Sequence, residues 1–364
     1  MGDAAVMMRT KIISLFNHKG GVSKTTTTFH LGWMLAILGK RVMIVDTDPQ
    51  CNLTGMCISN THNVEIEELY QSGVSNIRSI LSPVFDGKPE PLSAANCYTF
   101  REIPNLFLLP GHIAFSEYDA TYNIAENLTG SLAVFQNVPG ALRYMLEITA
   151  EKYKLDYILL DMSPSISATN ANILMQSDYF FIPCAPDYFC YMAIESLSDT
   201  FPKWRQAYQK MAQLDAFKKA TYKMKTTPPT FIGTIQQRYR PRNGLPAKAF
   251  AEWIDNINRL VCESLVPSLK ACGMCVAEEK TECFLEPYNL ANISDFNSLI
   301  AQAQEHRVPV FLLTKEQVGK TGRVWDNMEK SRDEFHSTFK TLAKRIVQIG
   351  RVKIFSHFSL QALA

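Results

Sequence analysis

A mostly parallel α/β sheet with helices on both faces is the fold this sequence predicts, and three observations predict it. Short apolar runs alternate with longer segments of helical periodicity along the chain, the pattern of βαβ units. Three of these runs, at 12–16, 42–45 and 157–160, lead straight into short segments rich in glycine, lysine or aspartate. The carboxyl ends of strands are where an open α/β sheet binds ligands. The chain is also large enough: 364 residues, 46% hydrophobic, bury a sizeable core as one big domain or one domain with insertions.

The first run opens onto Asn17-His18-Lys19-Gly20-Gly21-Val22-Ser23-Lys24-Thr25-Thr26, followed by Leu31, Met34, Leu35 and Leu38 at helical spacing. A glycine-rich turn between strand and helix lets backbone N–H groups, here from Gly20 to Thr26, wrap a phosphate. Lys24 then reaches the β- and γ-phosphates, and the Thr25 hydroxyl binds Mg²⁺. The usual spacing GxxxxGK[ST] is not met, because Gly20 and Gly21 are adjacent and Lys19 precedes them. This KGGxxK[ST] form resembles the loop of ParA/MinD-type ATPases. The resemblance implies that Lys19 crosses a dimer interface to the partner's nucleotide.

The second run follows Gly39, a helix stop, and enters Asp46-Thr47-Asp48-Pro49-Gln50-Cys51-Asn52, which resembles that family's DxDPQxN switch I motif. The third enters Asp161-Met162-Ser163-Pro164-Ser165, which resembles its DxPPS Walker B and switch II motif, with Ser163 where proline is usual. ATP and Mg²⁺ are the implied cofactors. By resemblance Lys24 supplies the cation on the β/γ bridge, Asp161 the carboxylate near the metal and Asp48 the group that orients water. Asp46 supports the Mg²⁺ shell, and Pro164 lines the nucleotide site.

Later segments keep the family's order. Residues 105–111 (NLFLLPG), 179–188 (YFFIPCAPDY) and 232–245 (IGTIQQRYRPRNGL) read as strands with their loops. Residues 308–313 (VPVFLL) read as the last strand, before a terminal helix with a stripe of Phe339, Leu342, Ile346 and Ile349. The expected organisation is a tail at 1–10, an ATPase domain at 11–350 and a tail at 351–364. The short leader leaves no room for the helix-turn-helix domain of large partition ATPases, so direct autoregulation is not expected. Two segments are enlarged, at about 53–156 and 247–306. The first looks helical at Ile66, Leu69, Tyr70, Ile77, Ile80 and Leu81, with a turn-rich excursion at 86–91; the second opens with Phe250, Trp253, Ile254, Ile257, Leu260 and Val261 at helical spacing. They either carry partner specificity or add core.

A net charge of +2 excludes a whole-molecule polyelectrolyte binder. Residues 216–251 nevertheless hold eight basic residues and no acid: Lys218, Lys219, Lys223, Lys225, Arg238, Arg240, Arg242 and Lys248. Such clusters bind phosphate backbones by releasing counterions. Arg242 resembles an arginine through which ParA-like ATP dimers bind DNA without sequence preference, and Arg238, Arg240 and Arg242 are the candidate DNA contacts. The implied partners are a second copy in the ATP state, non-specific DNA and a ParB-like or other stimulating protein. Nine scattered cysteines without an export signal fit a reducing cytoplasm, with association to the nucleoid.

Two other readings stay open. The end of the chain, with Val352, Ile354, Phe355, Phe358, Leu360 and Leu363, resembles the basic amphipathic anchor of MinD-type relatives. It fits core packing better, and no membrane partner is expected. Cys272 and Cys275 form a CxxC near Cys262 and Cys283, as in iron–sulfur carrier ATPases, although a helix separates it here from the strand it follows there.

Overall fold

The computed structural model describes residues 9–58, 68–127, 135–242, 245–275 and 284–351. In chain order the strands are β1 (Lys11–Leu15), β2 (Val42–Asp46), β3 (Tyr98–Thr99), β4 (Leu106–Leu109), β5 (Tyr157–Asp161), β6 (Tyr179–Cys184) and β7 (Thr230–Tyr239). A small hairpin of β8 (Pro241–Arg242) and β9 (Leu245–Pro246) follows, then β10 (Asn289–Ser294). Eight of them form one sheet in the order β10-β7-β6-β1-β5-β2-β4-β3. Every pairing in it is parallel except β3 on β4.

The principal helices are α1 (Lys24–Ile37), α2 (Asn52–Ile58), α3 (Ile77–Phe85), α4 (Tyr118–Asn127), α5 (Val138–Tyr153), α6 (Ala168–Gln176), α7 (Tyr188–Gln213), α8 (Lys248–Leu260), α9 (Leu299–His306) and α10 (Gly322–Arg351). Strands buried on both faces read as unbroken apolar runs, and β1 and β2 show why. Ile12, Met43 and Val45 join the core formed with α3, α5, α6 and α7. Ile13, Leu15, Val42 and Ile44 join a second core on the opposite face, with α1, α2 and α10. Packing on that second face is tight at Gly32 of α1, where an added Cβ would lie 2.6 Å from Ile44 Cγ2. The helix starts are set by local chemistry: Asn76, Ser167 and Asp187 accept N–H bonds from the first turns of α3, α6 and α7.

One expectation is corrected. Residues 308–313 are not a strand; Val310–Leu312 is a 3₁₀ turn after Pro309. The strand at that edge of the sheet is β10, inside the second enlarged segment. Asn289, Asn292 and Ser294 are poor strand formers, so β10 carries little local signal and is held by pairing with β7. Otherwise the terminal helix buries Phe339, Leu342, Ile346 and Ile349 as its periodicity predicts. The enlarged segments extend the sheet at both edges, through β3 and β4 on one side and β10 on the other. Ile66, Cys283 and the chain from Val352 onward lie outside the described residues.

His30 fastens the last part of the chain to α1. Its Nδ1 donates to the Thr26 carbonyl at 2.7 Å, and its Nε2 accepts from the Val310 N–H at 3.1 Å. The ring stacks on Phe296 and Phe339 at 5.0 and 5.1 Å. Accepting at Nε2 requires the neutral imidazole, and burial pushes its pKa down from 6.5 to about 4. The unfolded chain binds that proton below 6.5, so this contribution is intact above 6.5 and is lost as pH falls toward 4, by about 3 kcal/mol. Asp46 runs the other way, because burial raises its carboxyl to about 6. Comparing wild type with His30→Gln cancels the Asp46 effect. Their difference in melting temperature should shrink steadily from pH 6.5 to pH 4; a constant difference would show that His30 does not titrate on unfolding.

Candidate functional site

β1 lies at the centre of the sheet, with β5 and β2 on one side and β6 and β7 on the other. The order in which strands are added to the sheet reverses beside it, which opens a crevice at the carboxyl ends of the parallel strands. Strand register then aligns the three motifs. Leu15 pairs with Asp161 and Asp46 pairs with Asp161, so the glycine loop, switch I and Walker B segments leave the sheet at one level. They line a cleft of about 570 Å³ whose walls include Gly20 to Thr26, Asp48, Gln50, Asn52, Pro164 and Arg238.

Two residues bend the loop over the start of α1. Gly21 and Ser23 have φ of 72° and 60°, and the first suits glycine because it has no Cβ. Lys24 folds back across the loop, with Nζ donating to Asn17 O at 2.8 Å and Lys19 O at 3.2 Å. Only 7% of it is exposed. Burial lowers its pKa, against the opposing pull of the Asp161 and Asp48 carboxylates. A lysine in that position is a preformed counter-charge.

The carboxylates divide by environment. Asp161 is wholly buried, and neither oxygen has a hydrogen-bond partner; the nearby Thr25 hydroxyl falls short of bonding geometry. Burial, reinforced by the Asp46 charge, holds its pKa well above the ordinary range. A buried acceptor left without donors beside a threonine hydroxyl fits a magnesium shell, directly or through water. Asp46 is engaged: Oδ2 accepts from Thr54 N at 2.8 Å and Thr54 Oγ1 at 2.7 Å, and Oδ1 accepts from Asp48 N at 3.2 Å. It anchors α2, and Gly111 packs against it so closely that an added Cβ would lie 2.9 Å from its Cγ. Asp48 faces the cleft, with Oδ1 accepting from Gln50 N at 3.0 Å. Thr47 ties this segment to Walker B through two bonds to the Asp161 carbonyl.

Ser163, in place of the usual proline, is braced by Asn170. The Asn170 amide donates to the carbonyls of Ser163 and Ser165 at 3.0 and 2.7 Å.

These features are those of a P-loop fold, and comparison with known proteins agrees. A family model described as an AAA domain matches residues 10–214, more than half of the chain. The chain belongs to that family, within the ParA/MinD P-loop ATPases. Soj of Bacillus subtilis is 29% identical over 191 residues, covering 52% of this chain and 64% of Soj. ParA of Caulobacter vibrioides is 29% identical over 196 residues, covering 54% and 63%. The chain thus spans just under two thirds of the length of these relatives. Apo McdA of Cyanothece superposes with a TM-score of 0.56 at 17% identity, over 93% of this chain and 99% of McdA. MinD of Pyrococcus furiosus does so with 0.50 at 17%, over 93% and 99%. At these identities the two structures speak for the fold alone.

In this ParA/MinD-family chain Lys19 has a partner that its sequence did not reveal. Its ammonium is paired with the Asp187 carboxylate, which also caps α7 by accepting from Cys190 N at 2.9 Å. An aspartate between the end of a strand and the start of a helix was the available signal, and it reads first as a cap. Tyr188 and Phe189, the next two residues, are exposed by 54% and 72%. Not every member of the basic run faces solvent. Lys225 is turned inward, donating to the Ser177 and Thr227 carbonyls at 2.7 and 2.8 Å. Arg238 lies at the cleft, Arg240 is exposed and Arg242 sits in the β8 strand of the hairpin. Cys272 Sγ donates to the Ser268 and Leu269 carbonyls, and no group of three metal-binding side chains occurs among the described residues. Among those residues no helix is long and apolar enough to cross a membrane.

Proposed function

We propose that the protein is a ParA-like ATPase that dimerises around two ATP·Mg²⁺, binds DNA non-specifically as that dimer and lets go after a partner protein stimulates hydrolysis. The partition names of Soj and ParA support a role in positioning a cargo. The observation that carries the reading is the unpartnered Asp161 carboxylate beside Lys24 and Thr25, at the mouth of a glycine loop that holds a second lysine. Magnesium held there by Thr25 and Asp161, with Asp46 behind, would screen charge on the phosphate oxygens. The backbone from Gly20 to Thr26 cradles the phosphates, Lys24 draws charge from the β/γ bridge and Asp48 orients the attacking water. Pro164 closes the γ-phosphate side.

Lys19 is the switch in this scheme. In the single chain it rests on Asp187, and in the dimer it transfers to the partner's nucleotide. Exposed Tyr188 and Phe189 beside that ion pair supply apolar surface for the second copy. Lys19→Ala should bind ATP yet fail to dimerise in saturating ATP, as read by size-exclusion with light scattering. A variant that dimerises like wild type would remove the trans contact from the scheme.

DNA binding tests the rest. Anisotropy of a random-sequence duplex should rise only with ATP, and affinity should fall steeply with salt. Arg240→Ala with Arg242→Ala should flatten the salt slope by about one unit for each phosphate that is no longer neutralised. Binding that ignores ATP, or a slope unmoved by the double substitution while hydrolysis persists, would contradict DNA as the matrix.

A further inference from the structure

Arg238 stands at a break in the sheet. β7 and β10 pair Gln237 with Ile293 and Tyr239 with Ser294, so Arg238 is the extra residue of a bulge. Its φ is 62°, in the left-handed region that a side-chain-bearing residue enters at a cost. Alternation sends Gln237 to the α1 face, where its Oε1 accepts from Thr27 Oγ1 at 2.9 Å. It sends Gln236 to the other face, where its amide donates to Asn258 of α8 at 3.1 Å. Without the bulge Arg238 would follow Gln236. Instead its Nη1 donates to the Gly21 carbonyl at 2.6 Å, and the side chain lines the cleft with the glycine loop, Asp48 and Pro164. Bulges beside binding sites re-aim single side chains in this way.

We propose that Arg238 is a ligand of the nucleotide's phosphate chain, contributed by the same chain as the loop, and that it is not a DNA contact. This deepens the nucleotide-site reading above and rests on it. A guanidinium has five N–H donors in a planar fork, so one bond to Gly21 leaves others for phosphate oxygens. The Gly21 carbonyl holds the fork at the cleft before the nucleotide arrives, so little rotamer freedom is lost on binding. The β8–β9 hairpin begins three residues on from Arg238, at Pro241. A phosphate gripped by Arg238 therefore fixes the root of the hairpin that carries Arg242, which links nucleotide occupancy to the presentation of a DNA-binding loop.

The test compares Arg238→Ala, Arg238→Lys and Lys24→Ala in titrations with ATP, ADP and adenosine, alongside apo melting temperatures and DNA anisotropy. Arg238→Ala should weaken ATP and ADP by about 10- to 100-fold, the size of one or two charge-assisted hydrogen bonds. Arg238→Lys should recover part of that loss, while adenosine affinity stays at the wild-type value and apo melting confirms that both variants are folded at the assay temperature. If Lys24→Ala loses ATP but both Arg238 variants bind it normally, Arg238 is not a phosphate ligand although the site reading stands. If adenosine weakens as much as ATP, the contact is to the nucleoside and the phosphate assignment is wrong. Normal ATP affinity with a flatter DNA salt slope in Arg238→Ala would return the residue to DNA. If Lys24→Ala itself binds ATP normally, the cleft is not the nucleotide site and the proposal falls with it.

Discussion

Lys24→Ala is expected to abolish ATP binding, with a loss of at least about 100-fold in affinity. Two terms add. The triphosphate loses a buried, preformed ammonium, and charged hydrogen bonds are worth about 1.5–3 kcal/mol each. Asp161 and Asp48 also lose the cation they both act on, so their carboxylates would repel the incoming phosphates. Loss of the fold is a separate question, answered by far-UV circular dichroism of the variant. Isothermal titration with ATP·Mg²⁺ is the direct measurement. A well-folded Lys24→Ala protein that binds ATP as wild type does would sink the site assignment as a whole.

Asp48 should give the opposite signature. Asp48→Ala is expected to bind ATP within a few-fold of wild type and to hydrolyse it at least about 100-fold more slowly, the usual yield of a positioned acid–base or water-orienting group. The ATP-bound dimer should then accumulate. Asp48 also has a local structural task, since its carboxylate accepts the Gln50 N–H. Asp48→Asn separates the two roles, because the amide oxygen still accepts that bond while the charge is gone. Both variants should be slow in single-turnover hydrolysis. A fast Asp48→Asn would mean that the residue shapes the loop and does not act on water.

That the glycine loop, switch I and Walker B segments meet in one cleft was largely legible from sequence because each segment is local. A phosphate cradle needs a strand, a glycine turn and a helix in immediate succession, and all three are written between Lys11 and Ile37. The carboxylates sit at strand ends, so a short apolar run announces them. Strand β10 was illegible for the converse reason: its asparagines carry no strand preference, and only hydrogen bonding to β7 makes it a strand. Residues 308–313 misled because VPVFLL has strand composition but is buried as a turn under His30.

What the sequence by itself determined is the chemistry available: which residues could cradle phosphate, hold magnesium or orient water, and their order along a parallel α/β chain. The tertiary structure decided which of them face one another. It left Asp161 without a partner while tying Asp46 to Thr54, and it placed Lys19 on Asp187, 168 residues away. It also took two members out of a basic run that looked continuous, turning Lys225 inward and Arg238 onto Gly21. The physical reason is that motif chemistry depends on spacing along one strand or turn, which the chain encodes directly. Ion pairing, burial and the re-aiming of a side chain by a bulge depend on the register between strands far apart in the chain, which exists only after the sheet has formed.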